Sequence, residues 1–370
     1  LYGSISDLFW SRFYRVKKVP QEDIVFIDTF IFENSIDKDG NFFDRYYSGF
    51  QSFLNRDQLN KNWFAPTLTN IKTPSEYRNI FSKIKKCSEN ILIQESWLKF
   101  SDYAKSIMMS LVIPLKIKNM PLVDGLDLTE LIVNESRSQL GSFSLVKAIN
   151  KYKFINRLST ERVRISGAID WNENQVIDRA LNLGFKKFYP NTMVRGYQGF
   201  MMPEYFACSK PQEFEYSLGT LPSNYHVLGP YGHAISSASD FMNVYLSPAF
   251  RFSYLKRIQR EPQIKPLILF LMPITIKDSK ELIQVCLSLI EKNTEDLNIV
   301  VKIHPSITLE QFFKFIPESK NNKINFTKMS TEELFKKISL MVSLSSSACV
   351  ESVSLGIPVA ILGNRSGPTM

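Results

Sequence analysis

The stretch from Asn298 to Asn364 constrains this chain more than any other. It opens as Asn298-Ile-Val-Val-Lys-Ile-His304-Pro305. Beyond one helical segment it continues as Leu340-Met-Val-Ser343-Leu-Ser345-Ser346-Ser347-Ala-Cys-Val-Glu351-Ser-Val-Ser-Leu-Gly356-Ile-Pro358-Val-Ala-Ile-Leu-Gly363. Each half is a short apolar run that halts at small or polar residues. That is the pattern of a buried parallel strand whose carboxyl end opens into a site. In open α/β sheets, ligands bind at those ends.

The second half reads as a βαβ unit. Residues 338–344 are strand-like, three serines follow, and 348–355 is helical. A serine hydroxyl accepts a free backbone N–H at a helix start, and the unpaired N–H groups and positive dipole end there suit a phosphate. Gly356 and Pro358 stop the helix, and Val359 to Leu362 reads as the next strand.

Glu351, with Gly356 five positions later and Pro358-Val359 beyond, resembles the nucleotide-binding signature of glycosyltransferases with two Rossmann-like domains, the B-type fold. His304-Pro305 resembles the His-Pro motif of bacterial transferases that use CMP-activated sugars, the sialyltransferases and Kdo transferases. Ser345, Ser346 and Ser347 are similar to their serine or threonine cluster after a later strand. The resemblance spans residues 265–363. It implies an α/β chain of two Rossmann-like domains facing a cleft. It implies that His304, Pro305, Ser345, Ser346, Ser347 and Glu351 bind the nucleotide of a CMP-sugar donor, the glutamate through ribose hydroxyls. It further implies an acceptor that is a surface polysaccharide or lipopolysaccharide, and no cofactor besides the donor.

The length of 370 residues suggests two domains, because single cores rarely grow past about 250–300 residues. We expect an N-terminal acceptor-side domain over 1–230, a linker region over 231–265 and a nucleotide-sugar domain over 266–370. The chain does not begin with Met and ends just after an expected strand, so the last domain is expected to be incomplete. A hydrophobic share of 44% argues against disorder. The net charge, 45 − 36 = +9, fits nucleic acid, an anionic membrane surface, a phosphorylated substrate or an ordinary solvated surface. Dense basic runs are few, so nucleic acid is not expected. For a glycosyltransferase the inner face of the cytoplasmic membrane is the expected partner, with the protein otherwise cytoplasmic. Four separated cysteines without CxxC, and three histidines, give no reason to expect a metal site.

In the N-terminal half, Asp23 to Phe32 reads as a strand. Arg45 to Leu59, Pro74 to Cys87, Trp97 to Val112 and Asn134 to Leu158 read as helices, the third stopped before Pro114. Arg162 to Ser166 reads as a strand. A helix capped by Asp170 or Asn172, with Val176, Ile177, Ala180 and Leu181 on one face, follows and is ended by Gly184. Phe185 to Tyr189 and Met193 to Tyr197 then read as strand-like. Leu267 to Met272 is the first strand of the later domain, with a helix from Lys280. It lacks GxGxxG, so a dinucleotide cofactor is not expected.

Two carboxylates are candidates for catalysis: Glu173, at a helix start after the Arg162–Ser166 strand, and Asp278, after the Leu267–Met272 strand. A transferase needs a base for the acceptor hydroxyl or a carboxylate nucleophile. Trp171, Asn174 and Gln175 around Glu173, and the turn Gly196-Tyr197-Gln198-Gly199-Phe200, offer rings and amides suited to sugars. Each of these residues also has a plain structural alternative: His304 bonding local backbone, the serines capping a helix, Glu351 on a solvated helix face, Glu173 and Asp278 complementing helix N-termini. Other functions on the same architecture are a CDP-glycerol-type polyol-phosphate transferase, a nucleotide-sugar epimerase, and a non-catalytic module of polysaccharide assembly.

Overall fold

The computed structural model describes residues 2–69, 71, 73–118, 125–201, 210–237, 240–292, 298–305, 307–314, 316, 324–344 and 346–363. The chain divides into two compact units, one of residues 1–199 and 206–251, the other of 200–205 and 252–370.

The first unit is built on a six-stranded parallel sheet: β1 (Ile24–Ile31), β2 (Asn62–Leu68), β3 (Ile165–Trp171), β4 (Val194–Gln198), β5 (Asn224–Leu228) and β6 (Val244–Ser247). Its order is β2-β1-β3-β4-β5-β6. The strand β1, apolar except for Asp28 and Thr29, is buried along most of its length, as an inner parallel strand should be. The order reverses between β1 and β3, and such a switch point leaves a crevice at the strands' carboxyl ends. One face of the sheet packs Phe26 and Ala168 against Phe154, Leu158, Leu181 and Phe185 from the helices Phe143–Thr160 and Val176–Phe188.

Several element boundaries differ from expectation for identifiable reasons. β3 runs on to Trp171, so Asp170 is a strand residue rather than a helix cap. Gly184 does not end its helix, which continues to Phe188 and takes in residues expected as a strand. A Cβ at Gly184 would lie 3.1 Å from the Ile155 side chain, so the glycine serves close helix packing instead. Pro114 sits inside the helix Phe100–Lys116 rather than beyond its end. Residues 134–158 form parts of two helices, Thr129–Ser138 and Phe143–Thr160, with Gly141 between them at φ +65°. The stretch 45–59 holds only the 3-10 turn Phe50–Phe53 and the start of the helix Arg56–Lys61. Within 231–265, read as linker, β6 pairs with β5 as part of the first sheet.

The second unit has a four-stranded parallel sheet of β7 (Leu267–Leu271), β8 (Asn298–Lys302), β9 (Leu340–Ser343) and β10 (Val359–Ile361), ordered β10-β9-β7-β8. Numbered from its own first strand the order is 4-3-1-2, the same winding as in the first unit, with the switch point between β7 and β9. Its two faces pack as separate cores, one around Phe270, Leu282, Ile283 and Phe312, the other around Leu269, Leu334, Phe335 and Met341. The structure is thus α/β with two doubly wound parallel sheets.

Candidate functional site

In the second unit the expected residues gather along one edge. His304 lies two residues past β8, Ser346 and Ser347 follow β9, and Asp278 follows β7, so three adjacent strands deliver them to the carboxyl edge of one sheet. The switch point is tied shut lower down by the Ser343 hydroxyl, which donates to the Leu271 carbonyl at 2.9 Å. Ser346 is the N-cap of the helix Ser347–Ser354: its Oγ accepts from the Ala348 N–H at 3.3 Å. Ser345 lies outside the described residues. The His304 carbonyl accepts from the Ile307 N–H at 2.9 Å, rounding the turn through Pro305. Burial holds the His304 pKa below its usual 6.5, so near neutral pH the ring carries no charge and can donate one neutral hydrogen bond.

Glu351 sits one turn into the same helix, 9% exposed, and its carboxylate accepts from the Tyr254 hydroxyl. The expected ribose ligand is therefore already engaged by a phenol, through one of its two oxygens. Asp278 is half-buried, accepts from the Thr275 hydroxyl and returns its own N–H to Thr275 Oγ1, a reciprocal helix start.

In the first unit Glu173 sits in the loop between β3 and the helix Val176–Phe188. Its Oε1 accepts from the Trp171 indole N–H at 2.9 Å and its Oε2 from the Gln175 amide at 2.7 Å. Asn174, at φ +54°, is buried, its side chain between Arg179 and Glu215. Trp171 forms an aromatic cluster with Tyr46, Tyr47 and Tyr197, ring centroids 4.5–5.8 Å apart. Gly199 is required there, since its Cβ would fall 2.4 Å from both Trp171 and Tyr197.

Beneath this loop lies a polar interior of which the sequence suggests only Asp170, as a helix cap. Ile27 pairs with Ile169, so Asp28 and Asp170 occupy the next positions of β1 and β3 on either side of the switch point. Lys151 Nζ donates to Asp28 Oδ1. Asp170 Oδ2 accepts from Asn172 at 2.8 Å and from Asn182 at 2.9 Å, while Oδ1 is buried without a protein partner. Asp178 Oδ2 accepts the backbone N–H groups of Glu173 and Gln175, both at 2.9 Å, and so fixes the loop that carries Glu173. Burial, reinforced by the Asp28 charge, pushes Asp170 up to about 7. Burial and Asp170 raise Asp178, and burial raises Asp28 against the pull of Lys151. Three buried carboxyls close enough to repel one another, with one ammonium paired to Asp28, cannot all be ionised cheaply, and protonation relieves the excess. The signal available in the sequence was Asp28 itself, a carboxylate within an inner strand whose only other polar residue is Thr29.

Among the described residues no three ligand-type side chains converge on a metal position. The pair Asp37-Lys-Asp39 has Asp-x-Asp spacing, but Asp37 is spent on a turn, accepting from the N–H groups of Asp39 and Asn41 and from the Asn41 amide.

No family model and no curated protein matches this chain. Among solved structures, a UDP complex of MnaA from S. aureus is similar at 12% identity and a TM-score of 0.49, over 92% of this chain and 80% of that one. A protein from Listeria monocytogenes described as a UDP-N-acetylglucosamine 2-epimerase is similar at 11% identity and 0.49, over 93% and 80%. The N-terminal domain of trehalose-6-phosphate phosphatase from Candida albicans gives 11% and 0.45, over 93% and 83%. Likeness of this degree assigns no family and no activity.

Proposed function

We propose that this chain is a nucleotide-sugar-processing enzyme whose second unit holds the nucleotide at the carboxyl edge of β8, β7 and β9. The observation that carries the reading is the placement of His304-Pro305 and of Ser346-Ser347 at the ends of strands on both sides of β7 in a doubly wound sheet, the serines at a helix N-terminus. Helix N–H groups and serine hydroxyls meet the phosphate oxygens, and neutral His304 donates a further hydrogen bond. Glu351 reaches a ribose hydroxyl with the oxygen that Tyr254 leaves over.

In its finer form the reading is glycosyl transfer from a CMP-activated sugar of the Kdo or sialic acid kind to a hydroxyl of a glycan or glycolipid acceptor. Glu173 serves as the base or nucleophile in that form, held between Trp171 and Gln175. With Glu173 as base, the acceptor oxygen bonds to the anomeric carbon as the sugar–phosphate bond breaks; that bond's electron pair goes to the nucleotide phosphate and the acceptor proton to the carboxylate. The experiment is to incubate the protein with CMP- and UDP-activated sugars, with and without glycan acceptors, and analyse the products. CMP release that depends on acceptor supports transfer. Conversion of a UDP-sugar to its epimer without an acceptor would replace transfer with epimerisation on the same site. No turnover and no binding of any nucleotide would remove the reading.

A further inference from the structure

The helix Phe100–Lys116 is built inside out. The residues it turns into the protein are Asp102, Tyr103, Ser106, Ser110 and Pro114. Those it turns to solvent include Phe100 at 73% exposure, Met108 at 58%, Leu111 at 47% and Leu115 at 55%, with Met109, Val112 and Ile113 between them. The polar side is bonded within the protein at several points. Arg157 grips both oxygens of Asp102 at 2.8 and 3.0 Å, Ser106 donates to the Asp102 carbonyl, and the Pro114 carbonyl accepts from Ser136. An ordinary surface helix shows the reverse distribution, so the outward face is apolar for a reason other than folding.

The charges say what covers it. Lys99 and Lys105 lie at one end of the apolar strip and Lys116 and Lys118 at the other, all exposed. The helix's own acid, Asp102, is turned inward and neutralised by Arg157. A second copy docked two-fold on this face would bring lysine ends against lysine ends or along one another, like charges that oppose the contact. An anionic lipid surface meets both features at once, with acyl chains under the apolar strip and head groups against the lysines. Seventeen residues span only about 25 Å at 1.5 Å per residue, and no described helix is long and apolar enough to cross a bilayer.

We propose that the Phe100–Lys116 helix is a membrane-docking element that lies in the plane of an anionic lipid surface with Met108, Leu111, Val112 and Leu115 inserted. The proposal is independent of the nucleotide reading. It extends from the helix to its surroundings: Leu131, Leu140 and Phe143 on the adjoining segments are also exposed and widen the apolar area.

The test is co-flotation of the full chain with phosphatidylcholine vesicles, with and without phosphatidylglycerol, over a salt series. The expected result is partition into the phosphatidylglycerol vesicles that weakens as salt rises. Leu111→Ser with Leu115→Ser lowers the partition coefficient at least about tenfold, the scale of losing apolar insertion. Lys105→Glu with Lys116→Glu abolishes the preference for phosphatidylglycerol while circular dichroism stays unchanged. The same Ser change at fully exposed Ile264 leaves binding intact. Equal partition of wild type and the folded Leu variant would overturn the proposal. So would a dimer in sedimentation equilibrium that the Leu variant dissolves, with no vesicle binding by the wild type.

Discussion

Lys151 and Asp28 form an ion pair of 2.6 Å in the interior of the first unit, their side chains 1% and 4% exposed. Removing one member of such a pair leaves the other buried and unpaired, at a cost of about 3–5 kcal/mol. Lys151→Met is therefore expected to lower stability by that amount in urea unfolding monitored by circular dichroism. Asp28→Asn added to it should restore part of the loss. A double variant as unstable as the sum of the single changes would show that the two residues do not act as a pair.

Asp170 gives the first unit a pH signature. Its folded pKa of about 7 lies above the ordinary 3.8, so between those values the folded chain keeps a proton that the unfolded chain has released. Stability from this group therefore falls as pH rises through the window and is level outside it, a total on the order of 4 kcal/mol. Asp44, raised by burial to about 6, acts in the same direction, whereas His226, lowered by burial, acts in the opposite one. The informative quantity is the difference between wild type and Asp170→Asn, which keeps an acceptor for Asn172 and Asn182. That difference should move in favour of the variant from pH 4 to pH 8; parallel profiles would refute the assignment.

The two candidate carboxylates should behave differently. Glu173→Gln, in a protein with turnover, should lose at least about a hundredfold in rate at saturating donor, the usual range for an acid–base group, with nucleotide affinity unchanged. Asp278→Asn should keep near-normal turnover and lose about 1 kcal/mol of stability, because its carboxylate serves the Thr275 helix start. The opposite pattern would move the catalytic group to the second sheet.

What could be read from the sequence was local. The helix from Pro74, the apolar strands β1, β7 and β9, and the Ser346 cap with Gly356 at φ +70° are patterns of a few neighbouring residues. What could not be read depended on partners far along the chain. Gly184 looks like a helix stop until Ile155 is packed against it. Asp170 looks like a cap until β3 is extended beside β1 and Asn182 comes round from the helix. Glu351 looks solvated until Tyr254, almost a hundred positions upstream, donates to it. The serine cluster and His304 were placed at strand ends by pattern alone; their service to a phosphate is chemistry that the protein chain by itself does not display.

Titration calorimetry with CMP and UDP on wild type, His304→Ala and Ser346→Ala tests the nucleotide site most directly. The expected result is binding by the wild type and an affinity about tenfold lower in each folded variant, the value of one or two lost hydrogen bonds to phosphate. Unchanged affinity in both variants, or no binding of either nucleotide by the wild type, would contradict a nucleotide site at the ends of β8 and β9.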